Sequence, residues 1–274
     1  MLKWIAIISM VIDHIAYYFF DQMPPELYEF MRSIGRLAMP IFAFSLAFGF
    51  IKSKNCFKYF FRLTSTAIIS EIVIRYTFQM IGYVRHGINI LFTFALSLVF
   101  LAALKILLNS GYDLLVRMQP VGSTGLPEDQ LPYQFRVSLG GIELPPLVGL
   151  LLGLVFMTIS IFCTVYYDVE YGLYGILMVL AFYLVLEYKH EKPLYWAYGL
   201  VFAVNLLFQV GECLSLGEPF DFNPSQWLTI LAVPICFTPG INNKVQTSWQ
   251  KYFFYAFYPC HLALLALLRY WIVK

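Results

Sequence analysis

Apolar runs, many of them long enough to cross a bilayer, follow one another along this chain from end to end. A helix rises 1.5 Å per residue, so about 20 apolar residues cover a hydrocarbon layer roughly 30 Å thick. Charged residues make up 12% of the sequence and hydrophobic ones 60%, whereas a soluble domain carries roughly 25% charge. So few charges cannot coat a water-facing surface. The expected solvent is lipid.

Apolar runs between polar punctuation predict helices over 4–20, 33–51, 59–80, 88–109, 146–166, 171–188, 194–211, 226–241 and 252–272. The expected fold is all-α, a polytopic transmembrane helix bundle of about nine transmembrane helices. Eight remain if the short segment at 226–241, broken by Pro234 and Pro239, does not cross. Residues 1–274 are read as a single integral membrane domain, with a cytoplasmic loop insertion at 110–145 punctuated by Pro120, Pro127, Pro132 and Pro145. The first segment reads as a retained helix and not a signal peptide. Asp13 and His14 interrupt it, and aromatic residues at 17–20 stand where a small-residue cleavage site belongs.

A net charge of +2 gives no footprint for nucleic acid, and none is expected as a partner. The basic residues instead report orientation. With the N-terminus cytoplasmic, Lys3, Lys52, Lys54, Lys58, Arg62, Lys105, Arg117, Arg136, Lys189, Lys192, Lys244 and Lys251 fall inside. Arg32, Arg36, Arg75, Arg85, Arg269 and Lys274 fall outside, which satisfies the positive-inside rule. The five cysteines show no CxxC or Cys/His ligand spacing, so neither a disulfide framework nor a metal site is expected.

Ionisable residues at mid-membrane cost about 2.5–3.5 kcal/mol each on insertion scales and need a reason. Counting inward from Lys3 places Asp13 and His14 half-way across, with Ser9, Asp13 and Tyr17 forming one polar stripe. Adjacent helical positions point about 100° apart, so Asp13 and His14 are free to serve different partners. Glu71 reaches a similar depth on a second helix, one turn before Arg75. His261, after Tyr258 and Pro259, reaches it on the last. Arg36 stands one turn before Pro40, which removes a donor and kinks the helix beside the guanidinium. Asn89, Thr93 and Ser97 form a further polar stripe, of the kind that bonds helix to helix. His86 and His190 read as loop residues.

A histidine at this depth suits general-base chemistry, with neighbouring carboxylate and arginine groups to orient substrate and stabilise charge. Acyl transfer fits this set, and so does a proton-coupled membrane transporter. The sequence lacks the internal repeats of many transporters, which weighs against transport.

The phrases LKWIAIISMVIDHI at 2–15 and IGRLAMPIFAF at 34–44 resemble the TraX family. So do ISEI at 69–72, NILFT at 89–93, EYGLYGIL at 170–177 and YFFYAFYPCHL at 252–262, in family order along nearly the whole chain. Two positions depart from the family pattern, Phe48 before Gly49 and Val73 after the ISEI block. The family is named for N-acetylation of conjugative pilin and looks related to the multi-helix membrane acyltransferases. The resemblance implies a bacterial cytoplasmic (inner) membrane location and an acetyltransferase using cytoplasmic acetyl-CoA as acyl donor. The acceptor would be an amine or hydroxyl of a pilin-like protein, glycan or small molecule. A non-catalytic assembly factor for a surface appendage is the other reading. Carried over by position, the resemblance points to Asp13, His14, Arg36, Glu71, Asn89 and His261.

On this reading His14, Asp13, Glu71 and Arg36 are the expected catalytic group, and Arg75, Asn89, His261 and Tyr258 meet the acceptor. Lys52, Lys54, Lys58 and Arg62 would meet the phosphates of the donor.

Overall fold

The computed structural model describes residues 1–82, 87–118, 138–139, 142–143, 145–188, 191–217, 223–240 and 248–273. They form helices α1 (Leu2–Tyr18), α2 (Pro25–Gly35), α3 (Ala38–Lys52), α4 (Cys56–Met80), α5 (Ile90–Arg117), α6 (Pro146–Tyr166), α7 (Gly172–Glu187), α8 (Pro193–Leu216), α9 (Pro224–Trp227), α10 (Ala232–Cys236) and α11 (Ser248–Val273). A two-residue hairpin pairs Ser138–Leu139 with Ile142–Glu143.

Among the described residues, five stretches are long and apolar enough to cross a membrane: Pro25–Lys52, Ile90–Val116, Pro146–Tyr166, Pro193–Ser215 and Tyr252–Ile272. The others fall short for separate reasons. α1 and α7 have 17 and 16 residues, α4 carries Lys58, Arg62, Glu71 and Arg75, and α9 and α10 are joined by the 3-10 segment Leu228–Leu231.

Two boundaries differ from expectation. The stretch Pro25–Lys52 begins with α2, in which Glu26, Glu29 and Arg32 interrupt Leu27, Phe30 and Met31, so no apolar run announces its start. Its join to α3 falls at Arg36 and Leu37, where Pro40 has no N–H to return to the Arg36 carbonyl. α5 continues to Arg117, eight residues beyond the expected end at 109, so the long connection begins later than 110. Apart from the hairpin and Pro145, its course from 119 to 145 lies outside the described residues, as do Arg85, His86, Lys189, His190 and Lys244.

Packing explains the arrangement. Beyond its first turn α7 is covered on every side, with Tyr174, Ile176, Met178, Val179, Phe182 and Val185 all buried, so it forms the axis of the bundle. Met39, Phe44 and Phe50 of α3 pack against it. α6 lies outermost and is buried along one stripe of small residues only. There the Gly149-x-x-x-Gly153 spacing brings its backbone against α5: an added Cβ would lie 2.0 Å from Ser110 Oγ at the first glycine and 3.0 Å from the Ala103 carbonyl at the second. Its other faces expose Leu147, Leu151, Leu154, Ile159 and Phe162. Such a surface is stable against lipid and not against water.

Candidate functional site

Asp13 and His14, adjacent on α1, face different helices. Asp13 turns to α2, where its Oδ2 accepts from Arg32 Nη1 at 2.7 Å. The approach is close enough that a Cβ on Gly35 would lie 2.4 Å from Asp13 Cβ, so only glycine fits there. Ser9, one turn earlier, donates to the Ile34 carbonyl at 2.6 Å. The guanidinium of Arg32 also lies over the Tyr17 ring, 5.7 Å from its centroid.

His14 turns to α11. Its Nδ1 lies 2.7 Å from Nε2 of His261, and the two rings are within 12° of parallel with centroids 5.0 Å apart. Two ring radii added to the N···N distance account for that separation, so the imidazoles meet edge to edge in nearly one plane. On its far side His261 Nδ1 lies 2.8 Å from the Phe257 carbonyl, one turn back on the same helix. The Phe257 ring runs parallel to His261 within 9°.

Two cavities meet at Asp13 and His14, and His261, expected to meet the acceptor, lines neither of them. The smaller, about 330 Å³, extends from Asp13 and His14 past Met39, Phe42 and Leu46 to Lys3, Lys52, Tyr59 and Arg62. The larger, about 840 Å³, extends from the same two residues past Tyr17, Phe78 and Phe208 to Asp168 and Glu212. Asp13, His14, Glu170, Tyr171 and Tyr258 line both. The smaller cavity ends among cations and the larger among carboxylates. Arg62 is held at its mouth by Tyr255, whose hydroxyl accepts from Nε at 3.1 Å, and by the faces of Tyr59 and Tyr255.

The other expected residues divide. Tyr258 lines both cavities, and Lys52 and Arg62 line the smaller. Lys54 and Lys58 do not, whereas Lys3 does. Glu71, Arg75 and Asn89 form a separate cluster. Glu71 Oε2 accepts from the Asn89 backbone N–H at 3.0 Å and from its Nδ2 at 2.9 Å, while Oε1 pairs with Arg75 Nε at 2.7 Å. Asn89 Oδ1 in turn caps α5 by accepting from Leu91 N–H. Oε2 of Glu71 is thereby committed to holding the N-terminus of α5, while Oε1 faces the Arg75 charge on its own helix and makes no hydrogen bond among the described residues. None of Glu71, Arg75, Asn89 and Arg36 lines either cavity among the described residues. Arg36 carries a buried Nε with no hydrogen-bond partner among the described residues. Arg32, expected at the outer surface, instead lies at the depth of Asp13.

In the sequence Glu170 and Tyr171 stand out only as part of the EYGLYGIL motif. They reach the junction because the turn before α7 is stitched to the turn before α5: Ile88 N–H donates to the Asp168 carbonyl and Glu170 N–H to that of Ile88. Thr93 Oγ1 donates to the Glu170 carbonyl, and the Glu170 carboxylate accepts from Ile90 N–H at 3.2 Å. The turn demands left-handed backbone at Asp168 and Tyr171, with φ of 47° and 65°. The signal available in the sequence was a carboxylate directly before a Tyr-Gly pair at the head of an apolar helix.

These features define a multi-pass helical membrane protein in which His14, backed by a buried His261, stands where two opposed cavities meet. The chain belongs to the TraX family: the family model described as TraX protein matches residues 1–110 and 150–269. It is 29% identical over 279 residues to the probable fimbrial assembly protein FimC, serogroup H1, of Dichelobacter nodosus, covering 96% of this chain and 92% of that one. A 50-residue stretch is 48% identical to an uncharacterized protein of Rickettsia prowazekii (strain Madrid E), 18% of each chain. No solved structure matches.

Proposed function

We propose that the chain is a membrane-embedded acyltransferase that takes an acetyl group from cytoplasmic acetyl-CoA and delivers it to an amine or hydroxyl entering from the opposite side. The observation that carries this reading is the meeting of two opposed cavities at His14. On this reading α2 with α3, and α9 with α10, each make one broken crossing, giving nine in all with the N-terminus cytoplasmic. The cationic mouth of the smaller cavity then faces the cytoplasm, where Lys3, Lys52 and Arg62 suit the phosphates of the donor.

The chemistry follows from the base. His14 accepts the proton of the acceptor N–H or O–H as that atom's electron pair attacks the thioester carbonyl. The carbon–sulfur bond breaks, the thiolate recovers the proton from His14, and an acylated acceptor and free CoA thiol result. Asp13, fixed by Arg32, contributes negative charge beside the imidazolium that forms. General-base assistance of this kind is worth about 10²–10⁴-fold in rate.

The test uses purified protein in detergent with radiolabelled acetyl-CoA, comparing the unaltered chain with His14→Ala at equal folded fraction by gel filtration. CoA release or label transfer is expected, and is expected to fall at least about 10²-fold in the variant. Undiminished transfer in the variant sinks the role of His14. The name of the Dichelobacter nodosus relative favours a second reading, a non-catalytic factor in fimbrial assembly. That reading predicts no acetyl-CoA binding by the purified protein. The transporter reading predicts proton or solute flux in proteoliposomes lacking any acyl donor.

A further inference from the structure

We propose that His261 is a positioning residue: its Nε2 holds His14 as the Nδ1–H tautomer and so directs the Nε2 lone pair of His14 to the reaction. This deepens the acyl-transfer reading and rests on it for the word reaction, but the tautomer itself follows from the hydrogen bonds alone.

A backbone carbonyl only accepts hydrogen bonds, so the 2.8 Å contact between His261 Nδ1 and the Phe257 oxygen requires the proton on that nitrogen. A neutral His261 then presents a bare lone pair at Nε2. The nitrogen facing it at 2.7 Å, Nδ1 of His14, must therefore be the donor. A neutral His14 that carries its proton on Nδ1 has its other nitrogen, Nε2, unprotonated and basic. The nearly coplanar, edge-to-edge rings give this N–H···N bond a straight path. The Phe257 ring, parallel to His261 at 5.0 Å, fixes the plane of the second imidazole.

The arrangement assigns His261 the part that a carboxylate plays in a hydrolase triad, holding the base by its far nitrogen. The carboxylate next to His14 in sequence does not take that part, because Asp13 points to Arg32. A neutral partner differs from a carboxylate in one respect. When His14 takes up a proton, the His261 lone pair supports the new imidazolium without placing a second permanent charge in the bilayer.

The test reads the tautomer directly. Protein carrying ¹⁵N-histidine at its four histidines is reconstituted in lipid without acyl donor, and the ring nitrogens of His14 are identified by comparison with His14→Asn. The expected spectrum shows a protonated Nδ1 and an unprotonated Nε2. His261→Leu, which offers no acceptor, is expected to lose that preference. His261→Gln, whose amide oxygen reaches the place of Nε2, is expected to keep it. In turnover, kcat should fall about 10²-fold in the leucine variant and recover to within about tenfold in the glutamine variant, with KM for acetyl-CoA unchanged.

A wild-type His14 protonated on Nε2, or a His261→Leu spectrum identical to wild type, overturns the assignment. Equal turnover in the leucine and glutamine variants overturns it too. Because the spectra need no substrate, their failure strikes His261 alone, whereas absence of CoA release from the wild-type protein strikes the acyl-transfer reading.

Discussion

Arg269, near the end of the last helix, holds Asp21, just past the end of the first, with both arms of its guanidinium. Nη1 donates to Oδ1 at 2.8 Å and Nη2 to Oδ2 at 3.0 Å. Nη1 also donates to the Tyr18 carbonyl. Beside the contact between His14 and His261, this fork ties α1 to α11 at a second level, so the first and last helices jointly frame the two histidines. Its planar bidentate geometry is one that lysine cannot reproduce.

The pair makes stability depend on pH in a defined direction. The hydrogen bond from Arg269 holds the Asp21 carboxyl below its ordinary value. A depressed carboxyl contributes stability that is fully present above its unfolded value of about 3.9 and is lost as pH falls through the still lower folded one. Asp21→Asn should therefore melt lower than wild type at neutral pH, and the gap should begin to narrow below about pH 4 and close only below the folded value. A gap that persists unchanged at pH 3 would refute this origin.

Gly35 is the tightest point between α1 and α2. Any side chain there meets Asp13 at its Cβ, which is fixed to the α1 backbone, so the helices must part. Gly35→Ala should cost about 1–3 kcal/mol, the usual penalty of overpacking. It should also lengthen the contact between Asp13 and Arg32, and a double-mutant cycle with Arg32→Met measures that change as a reduced coupling between the two charges.

Glu71 is expected to act on the fold and not on turnover. Glu71→Ala leaves the Asn89 backbone N–H without its acceptor, while Nδ2 keeps the Ala67 carbonyl, and should cost about 1–3 kcal/mol. Amide exchange should quicken at the start of α5, while the folded fraction keeps its turnover within about threefold. A drop of about 10²-fold with unaltered exchange would move Glu71 into the chemistry.

A buried, uncharged network joins α7, α8, α9 and the segment between α9 and α10. Asn205 is its hub, accepting from the Tyr174 hydroxyl at 3.1 Å and donating to Thr229 Oγ1 at 2.9 Å and to the Val201 carbonyl. Asn205→Leu leaves the Tyr174 hydroxyl without this acceptor and should lower stability by about 1–3 kcal/mol. Thr229→Val removes fewer bonds and should cost less. Thermal unfolding in detergent that ranks the two in the opposite order would show that Asn205 is not the hub.

Much of the helical layout was legible in the sequence, because lipid permits few alternatives to a long apolar helix. Depth was legible as well. A fixed rise per residue put His14 and His261 at one level, and they meet there. The same counting put Glu71 at that level and suggested a shared site, but depth says nothing about direction around the bundle. Glu71 faces Asn89 and Arg75 instead.

Partners were the part the sequence withheld. Arg36 stood out through Pro40, yet Arg32 bonds Asp13, and α2 stayed hidden because its charges break the apolar run. Asn205 and Gln209 carry no signal in the sequence because their partners, Thr229 and Trp227, lie on other segments.

What the sequence alone determined is the solvent, the helical class and the shared level of His14 and His261, since all three follow from local composition and a constant helical rise. The tertiary structure alone decided which groups touch. It turned Asp13 toward Arg32 and His14 toward His261, and it brought Glu170 and Tyr171 between two cavities that no single segment contains. Contact depends on the rotation of each helix about its own axis, and packing against neighbours distant in the chain sets that rotation.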